Sequence, residues 1–302
     1  MLQPPFLKPG DKVAIAATAR KVSPEEMSHA IALFQSWQLE VVIPDEIYFE
    51  QNQFAGNDIT RARVFQEMLD SEQIKAIFCA RGGYGTVRLI DQLDFRKFVQ
   101  QPKWIVGYSD ITVLHSHIQQ CYGICTLHGP MPINFLPEKR DETSIEYLKH
   151  CLFGGVKDIT AAAHPLNRPG KAEGELVGGN LSVIYSVLGS KSAIDTDAKI
   201  LFLEDLDEYL YHIDRMMMNL KRNRLLNNLS ALIVGGMSDM KDNAIPFGKQ
   251  AEEIIAEHVQ EFDYPLCFGF PAGHEPRNLS LIMGATYTLE VTKNISTLKL
   301  VS

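Results

Sequence analysis

The stretch Trp104-Ile105-Val106-Gly107-Tyr108-Ser109-Asp110-Ile111-Thr112 passes from an apolar run through Gly-x-Ser into a helical spacing carried by Ile111, Leu114 and Ile118. A strand that turns into a helix with so little loop is the repeating unit of a parallel sheet, because parallel strands need crossover helices between them. The same unit recurs upstream. Lys12-Val13-Ala14-Ile15-Ala16 predicts a first strand, and the next helix carries its own start signal. Ser23 stands at the cap, Pro24 at the first helical position, and Glu26 closes a capping box. Met27, Ile31, Phe34 and Trp37 then recur at helical spacing and are expected to face a core. Val41-Val42-Ile43 reads as a second strand stopped by Pro44, and a helix over 58–69 leads to a third, Ile74-Lys75-Ala76-Ile77-Phe78-Cys79. Ile124-Cys125-Thr126-Leu127 adds another. The first half therefore reads as α/β, with helices on both faces of a parallel sheet.

The second half is less regular. Gly, Pro and Ala accumulate between Gly154 and Gly174, which places the expected boundary there: a first domain over 1–155, a linker over 156–172 and a second domain over 173–302. Strand-like runs follow at Glu175-Leu176-Val177, Lys199-Ile200-Leu201-Phe202-Leu203, Ala231-Leu232-Ile233-Val234 and Leu266-Cys267-Phe268. The runs 279–283 and 287–291 read as a terminal hairpin, and the whole as a mixed α+β domain.

With 302 residues, 45% hydrophobic and 22% charged, the chain has the composition of a globular protein with a sizeable core. Its net charge of -8 argues against nucleic acid as the main partner. No apolar run approaches the roughly 18 residues of a membrane span, and no secretory signal opens the sequence. The five cysteines are scattered and odd in number, so reduced and buried is the expected state, and cytoplasm the expected location.

Two corners could carry chemistry. A serine at a strand-to-helix turn is exposed and close to free backbone N–H groups, which suits a nucleophile beside an oxyanion site. Ser109 could equally be the cap of the following helix. In Phe78-Cys79-Ala80-Arg81-Gly82-Gly83-Tyr84-Gly85, a buried strand runs into a glycine-rich turn with a helix expected after it, and the glycines allow close backbone approach to a ligand. A nucleotide loop has the same outline. Here, however, Arg88 stands where the dinucleotide fingerprint wants glycine, and there is no Gly-Lys-Ser/Thr. Arg81 can grip a carboxylate with its planar fork. Among the histidines, His115 and His117 lie two apart and face different ways, a poor metal pair. His128 could line a site or satisfy a buried backbone group. His274, in the loop Phe270-Pro271-Ala272-Gly273-His274-Glu275-Pro276, is the best general-base candidate. Leu201-Phe202-Leu203-Glu204-Asp205 ends a strand in acids, with Asp207 and Glu208 beyond. Spacing alone does not choose the one that would orient an imidazole.

Taken together these segments resemble the LD-carboxypeptidase family of serine peptidases, over essentially the whole chain. The resemblance rests on Leu7-Lys8-Pro9-Gly10-Asp11, Ala80–Gly85 and Gly107-Tyr108-Ser109-Asp110-Ile111-Thr112 in the first half. In the second it rests on Gly178-Gly179-Asn180-Leu181, on Leu203-Glu204-Asp205 with Tyr211-His212-Ile213-Asp214-Arg215, and on Gly269-Phe270-Pro271-Ala272-Gly273-His274. It implies a flavodoxin-like or glutamine-amidotransferase-like first domain and an interdomain site. Ser109 would be the nucleophile, His274 the base, and Glu204 rather than Glu208 the orienting acid. The N–H groups of Gly83 and Asp110 would hold the oxyanion, with Arg81, Gly82 and Tyr84 as substrate contacts. The implied substrate is a murein tetrapeptide that loses its terminal D-alanine during peptidoglycan recycling. No metal or organic cofactor is implied, and a homodimer is. One departure stands out: Ala16-Ala17-Thr18-Ala19-Arg20 replaces the Pro-Ser turn common in relatives, which bears on substrate detail. Two other readings remain. One is cleavage of aminoacyl-nucleotide antibiotics, which calls for an aromatic platform in the second domain. The other is non-catalytic binding of a nucleotide or peptide by the Gly82–Gly85 loop.

Overall fold

The computed structural model describes residues 1–301 and contains two sheets flanked by helices. The first is built from β1 (Lys12–Ala16), β2 (Glu40–Val42), β3 (Ile74–Cys79), β4 (Trp104–Gly107) and β5 (Thr126–His128). These run parallel in the order β2-β1-β3-β4-β5. The crossovers carry α1 (Pro24–Ser36), α2 (Asp58–Asp70), α3 (Arg96–Gln100) and α4 (Thr112–Tyr122), and α5 (Glu142–Phe153) follows β5. The alternation of strand side chains sorts them onto two cores. Val13, Ile15, Phe78, Trp104 and Val106 join the core that contains Phe34 of α1. Ala14, Ala16, Ile77, Cys79 and Ile105 join the one that contains Phe65 and Ile118. The expected capping box at the start of α1 is present, with Ser23 Oγ accepting from the Glu26 N–H and Glu26 accepting from the Ser23 N–H.

The second sheet contains β6 (Ile159–Ala162), β7 (Gly170–Asn180), β8 (Ile200–Leu206), β9 (Ala231–Ser238), β10 (Leu266–Cys267), β12 (Thr286–Val291) and β13 (Ile295–Leu300). One half, β7 through β10, is parallel; the other, β7-β12-β13-β6, is antiparallel. Helices α6 (Leu181–Val187), α7 (Leu210–Arg222) and α8 (Ala251–His258) pack on the parallel half through Ile184, Met216, Met217, Ile254 and neighbours. At the end of β7 the chain passes so close to β8 that only glycine fits. A Cβ on Gly178 would sit 2.0 Å from the Phe202 carbonyl oxygen, and its φ is +121°. Gly178→Ala is therefore expected to destabilise the protein by about 2–4 kcal/mol, read as a lowered urea midpoint at unchanged slope.

Three expectations are corrected. The terminal hairpin does not form. β11 (Leu281–Met283) pairs antiparallel with β5 on the first sheet, whereas β12 pairs with β7 and β13. A tight turn at Gly284, φ +86°, hands the chain from one sheet to the other. Part of the expected linker 156–172 is instead strand: residues 159–162 are β6, and β7 begins at 170. After Gly85 the expected helix is only a pair of 3₁₀ turns, Thr86–Arg88 and Ile90–Gln92. Of the five free cysteines four are buried, and Cys121 is exposed. Among the described residues no helix is long and apolar enough to cross a membrane.

Candidate active site

Ser109 sits immediately after β4 with φ +64°, a left-handed conformation that costs a non-glycine residue of the order of 1–2 kcal/mol. Local bonds hold it there. The Ile111 N–H donates to the Tyr108 carbonyl at 3.2 Å, and His115 Nε2 donates to the Gly107 carbonyl at 2.9 Å. Burial lowers the His115 pKa to about 4, so this imidazole is neutral. The buried Asp110 carboxylate accepts from the Thr86 N–H at 2.9 Å; burial raises its pKa, and that bond opposes the rise. Ser109 is not a cap: neither the 3₁₀ turn it opens nor α4 receives a side-chain hydrogen bond at its start. Its hydroxyl is left free.

The glycine loop lies against this turn. A Cβ on Gly82 would come within 3.1 Å of Ser109 Cβ and 3.3 Å of its Oγ. One on Gly83, φ +109°, would collide with Arg20 Nε at 2.6 Å. The N–H groups of Gly83 and Asp110 have no acceptor among the described residues. Arg81 lines the same cleft and approaches Glu26 at 3.7 Å. Tyr84 does not line the cleft; it is half exposed beside the Phe54 ring, with centroids 6.3 Å apart.

The second sheet supplies the remaining groups. His274 Nδ1 donates to Glu204 Oε2 at 2.5 Å, and the His274 backbone N–H donates to the same oxygen at 3.1 Å. Glu204 is fully buried at the end of β8, where the pairing with β9 slips register between Leu203 and Asp205. Such an irregularity re-aims side chains. Glu208 instead pairs with His212 at 2.6 Å, one helical turn on. Burial alone would lower the His274 pKa; the adjoining Glu204 carboxylate outweighs it, and the net shift is upward. Tyr108 packs on the imidazole with centroids 4.8 Å apart. His128 is fully buried, and burial holds its pKa well below the ordinary value, so it takes no part in the cleft. Ser109 Oγ makes no hydrogen bond to His274 here; nucleophile–base contacts often tighten only with substrate bound.

Ser109, Gly82, Gly83, Arg81 and His274 thus share one cleft of about 610 Å³ between the two sheets. Arg20, Asn180 and Asp205, quoted above only within longer segments and given no role, also line its wall, as does Lys139, which no motif pointed to. Asp205 accepts from Asn180 Nδ2 and from the Ser182 N–H, each at 2.9 Å, and the Asn180 N–H reaches Thr112 Oγ1 at 3.0 Å. This chain of bonds ties the end of β8 to the helix that follows Ser109. Burial, with Glu204 alongside, raises the Asp205 pKa to about 7. No group of three or more potential metal ligands occurs among the described residues.

Comparison with known proteins decides the family. Residues 13–129 match the LD-carboxypeptidase N-terminal domain, and residues 173–289 match the LD-carboxypeptidase C-terminal domain. A Bacillus subtilis protein named "Probable murein peptide carboxypeptidase" is 33% identical over 98% of this chain and 94% of its own length. The chain belongs to the LD-carboxypeptidase family. As a member of that family it is a hydrolase, a carboxypeptidase. The Escherichia coli "Microcin C7 self-immunity protein MccF" is 28% identical over 80% of this chain and 79% of its own length. A solved muramoyltetrapeptide carboxypeptidase from Oxalobacter formigenes superposes with a TM-score of 0.87 at 26% identity, covering 96% of this chain and 99% of that one.

Proposed function

We propose that this chain is a serine carboxypeptidase that hydrolyses the L,D amide bond of murein tetrapeptides, releasing terminal D-alanine. The observation that carries this reading is the Glu204–His274 hydrogen bond facing, across one cleft, a serine held on a strained turn with an uncommitted hydroxyl. Ser109 Oγ attacks the scissile carbonyl while His274 Nε2 takes its proton. Glu204 fixes the tautomer through Nδ1–H and stabilises the imidazolium. The developing oxyanion is held by the N–H groups of Gly83 and Asp110. His274 then protonates the departing D-alanine amine, and a water activated by the same imidazole hydrolyses the acyl-enzyme. Every step uses groups of the chain and water. Arg81 and Gly82 line the substrate path, and the exposed Tyr84 is left a peripheral role.

The cleft walls suit a peptide bearing both charges. Arg20, Arg81 and Lys139 line it from the first half of the chain, and Asp207 and Glu208 from the second. Its volume falls in the range of small-ligand sites. The strand order β2-β1-β3-β4-β5 supports a flavodoxin-like first domain. We divide the chain near residue 155, with β11 returned to the first sheet. Action on recycled wall peptide fits a cytoplasmic homodimer.

A second reading, cleavage of an aminoacyl-nucleotide, draws on the exposed pair Tyr209 and Tyr211, with ring centroids 5.6 Å apart just beyond Glu208. The ring that does line the cleft, Tyr108, is already packed on His274. The test is to offer the purified protein a murein tetrapeptide, its all-L diastereomer and an aminoacyl sulfamoyl adenosine. Release of D-alanine from the first alone supports the proposal; turnover of the nucleotide alone refutes it.

A further inference from the structure

A carboxypeptidase must recognise the free carboxylate next to the bond it cuts, and the cations around Ser109 differ in their freedom to do so. Lys21 is bound to Glu50, Arg61 and Arg88 to Asp58, and Arg81 faces Glu26. Arg20 lines the cleft, is exposed, and pairs with no carboxylate among the described residues. Its side chain lies directly over Gly83, close enough that a Cβ there would meet Nε, Cδ and Cγ at 2.6 to 2.9 Å. Gly82, one Cα step of about 3.8 Å away, faces Ser109 Oγ. The Arg20 side chain therefore lies across the glycine loop whose neighbouring residue faces the hydroxyl, and both line the same cleft. The carboxylate of a terminal residue lies one residue beyond the carbonyl under attack, so it falls within the same cleft. Lys139 is also without a carboxylate partner among the described residues, but it lines a second, smaller pocket with Asn134 and Asp141 as well and presents a point charge rather than a fork.

From this arrangement we infer that Arg20 receives the terminal carboxylate of the substrate and sets the preference for a free C-terminus. The inference rests on the peptidase reading above. Gly83 is thereby constrained twice, by its N–H toward the oxyanion and by the side chain that lies across it.

The experiment compares kcat/KM for D-alanine release from a murein tetrapeptide with that for D-alaninamide release from its C-terminal carboxamide. The wild type is expected to prefer the acid. Arg20→Ala should lose about 10- to 100-fold on the acid, mainly through KM, the scale of a lost charge-assisted hydrogen bond. It should change little on the amide, so the preference collapses. Arg20→Lys should recover part of the loss, and Lys139→Ala should keep the preference. An acid-to-amide ratio unchanged in Arg20→Ala overturns the inference while leaving the peptidase reading intact. No release from either peptide by the wild type overturns both.

Discussion

Glu204→Gln is expected to lower kcat by about 10²–10⁴-fold with the fold preserved. The carboxylate is fully buried and accepts both the Nδ1–H and the backbone N–H of His274. Glutamine keeps the shape and removes the charge, so the imidazolium formed when Ser109 gives up its proton loses its partner. The amide NH₂ can also donate to Nδ1, which moves the ring proton to Nε2 and disables the base. Because the substitution takes a charge out of a buried site, thermal unfolding should change little, and circular dichroism separates lost chemistry from lost structure. The pH profile adds a sign. The base must be neutral, so kcat/KM falls as pH drops through its pKa. In the wild type Glu204 holds that pKa above the ordinary 6.5. With the carboxylate gone, burial is opposed only by the Asp205 charge, the smallest of the influences, so the acid limb of the residual activity should move to lower pH. A limb that stays in place would mean that another group titrates.

The strands that could be read from the sequence are those buried on both faces. β1 and β3 have the expected limits because continuous apolar runs leave no register choice. β6 and β13 escaped notice because short runs such as Ile159-Thr160-Ala161-Ala162 and Ile295-Ser296-Thr297-Leu298 mix polar and small residues, with little hydrophobic signal. The false hairpin has a different cause. Two apolar runs flanking Gly284-Ala285 look like local partners, but Met283 pairs with Thr126, far away in the sequence, and no local pattern records that. The acid was ambiguous for the same reason. Glu204 and Glu208 are separated only by the register slip in β8 that turns one inward and by the α7 turn that gives the other to His212. Arg20 carried no motif; it matters only because folding lays it over Gly83. Tyr84 was drawn into the site by its place in a glycine-rich motif, although its ring points toward Phe54.

Ser109→Ala should reduce turnover by at least about 10³-fold, the scale on which triad nucleophiles contribute. The variant keeps the oxyanion donors, the cleft and the Glu204–His274 pair, so substrate should still bind and only bond cleavage should fail. Alanine at φ +64° is no easier to hold than serine, and the hydroxyl caps neither helix start, so stability should shift by less than about 1 kcal/mol. The measurement that tests the central claim most directly is free D-alanine released from a murein tetrapeptide, followed side by side for wild type and Ser109→Ala at matched concentration and verified fold. The account predicts complete conversion to tripeptide and D-alanine by the wild type and none measurable from the variant over the same time. Release by Ser109→Ala at a rate near the wild type's would contradict it.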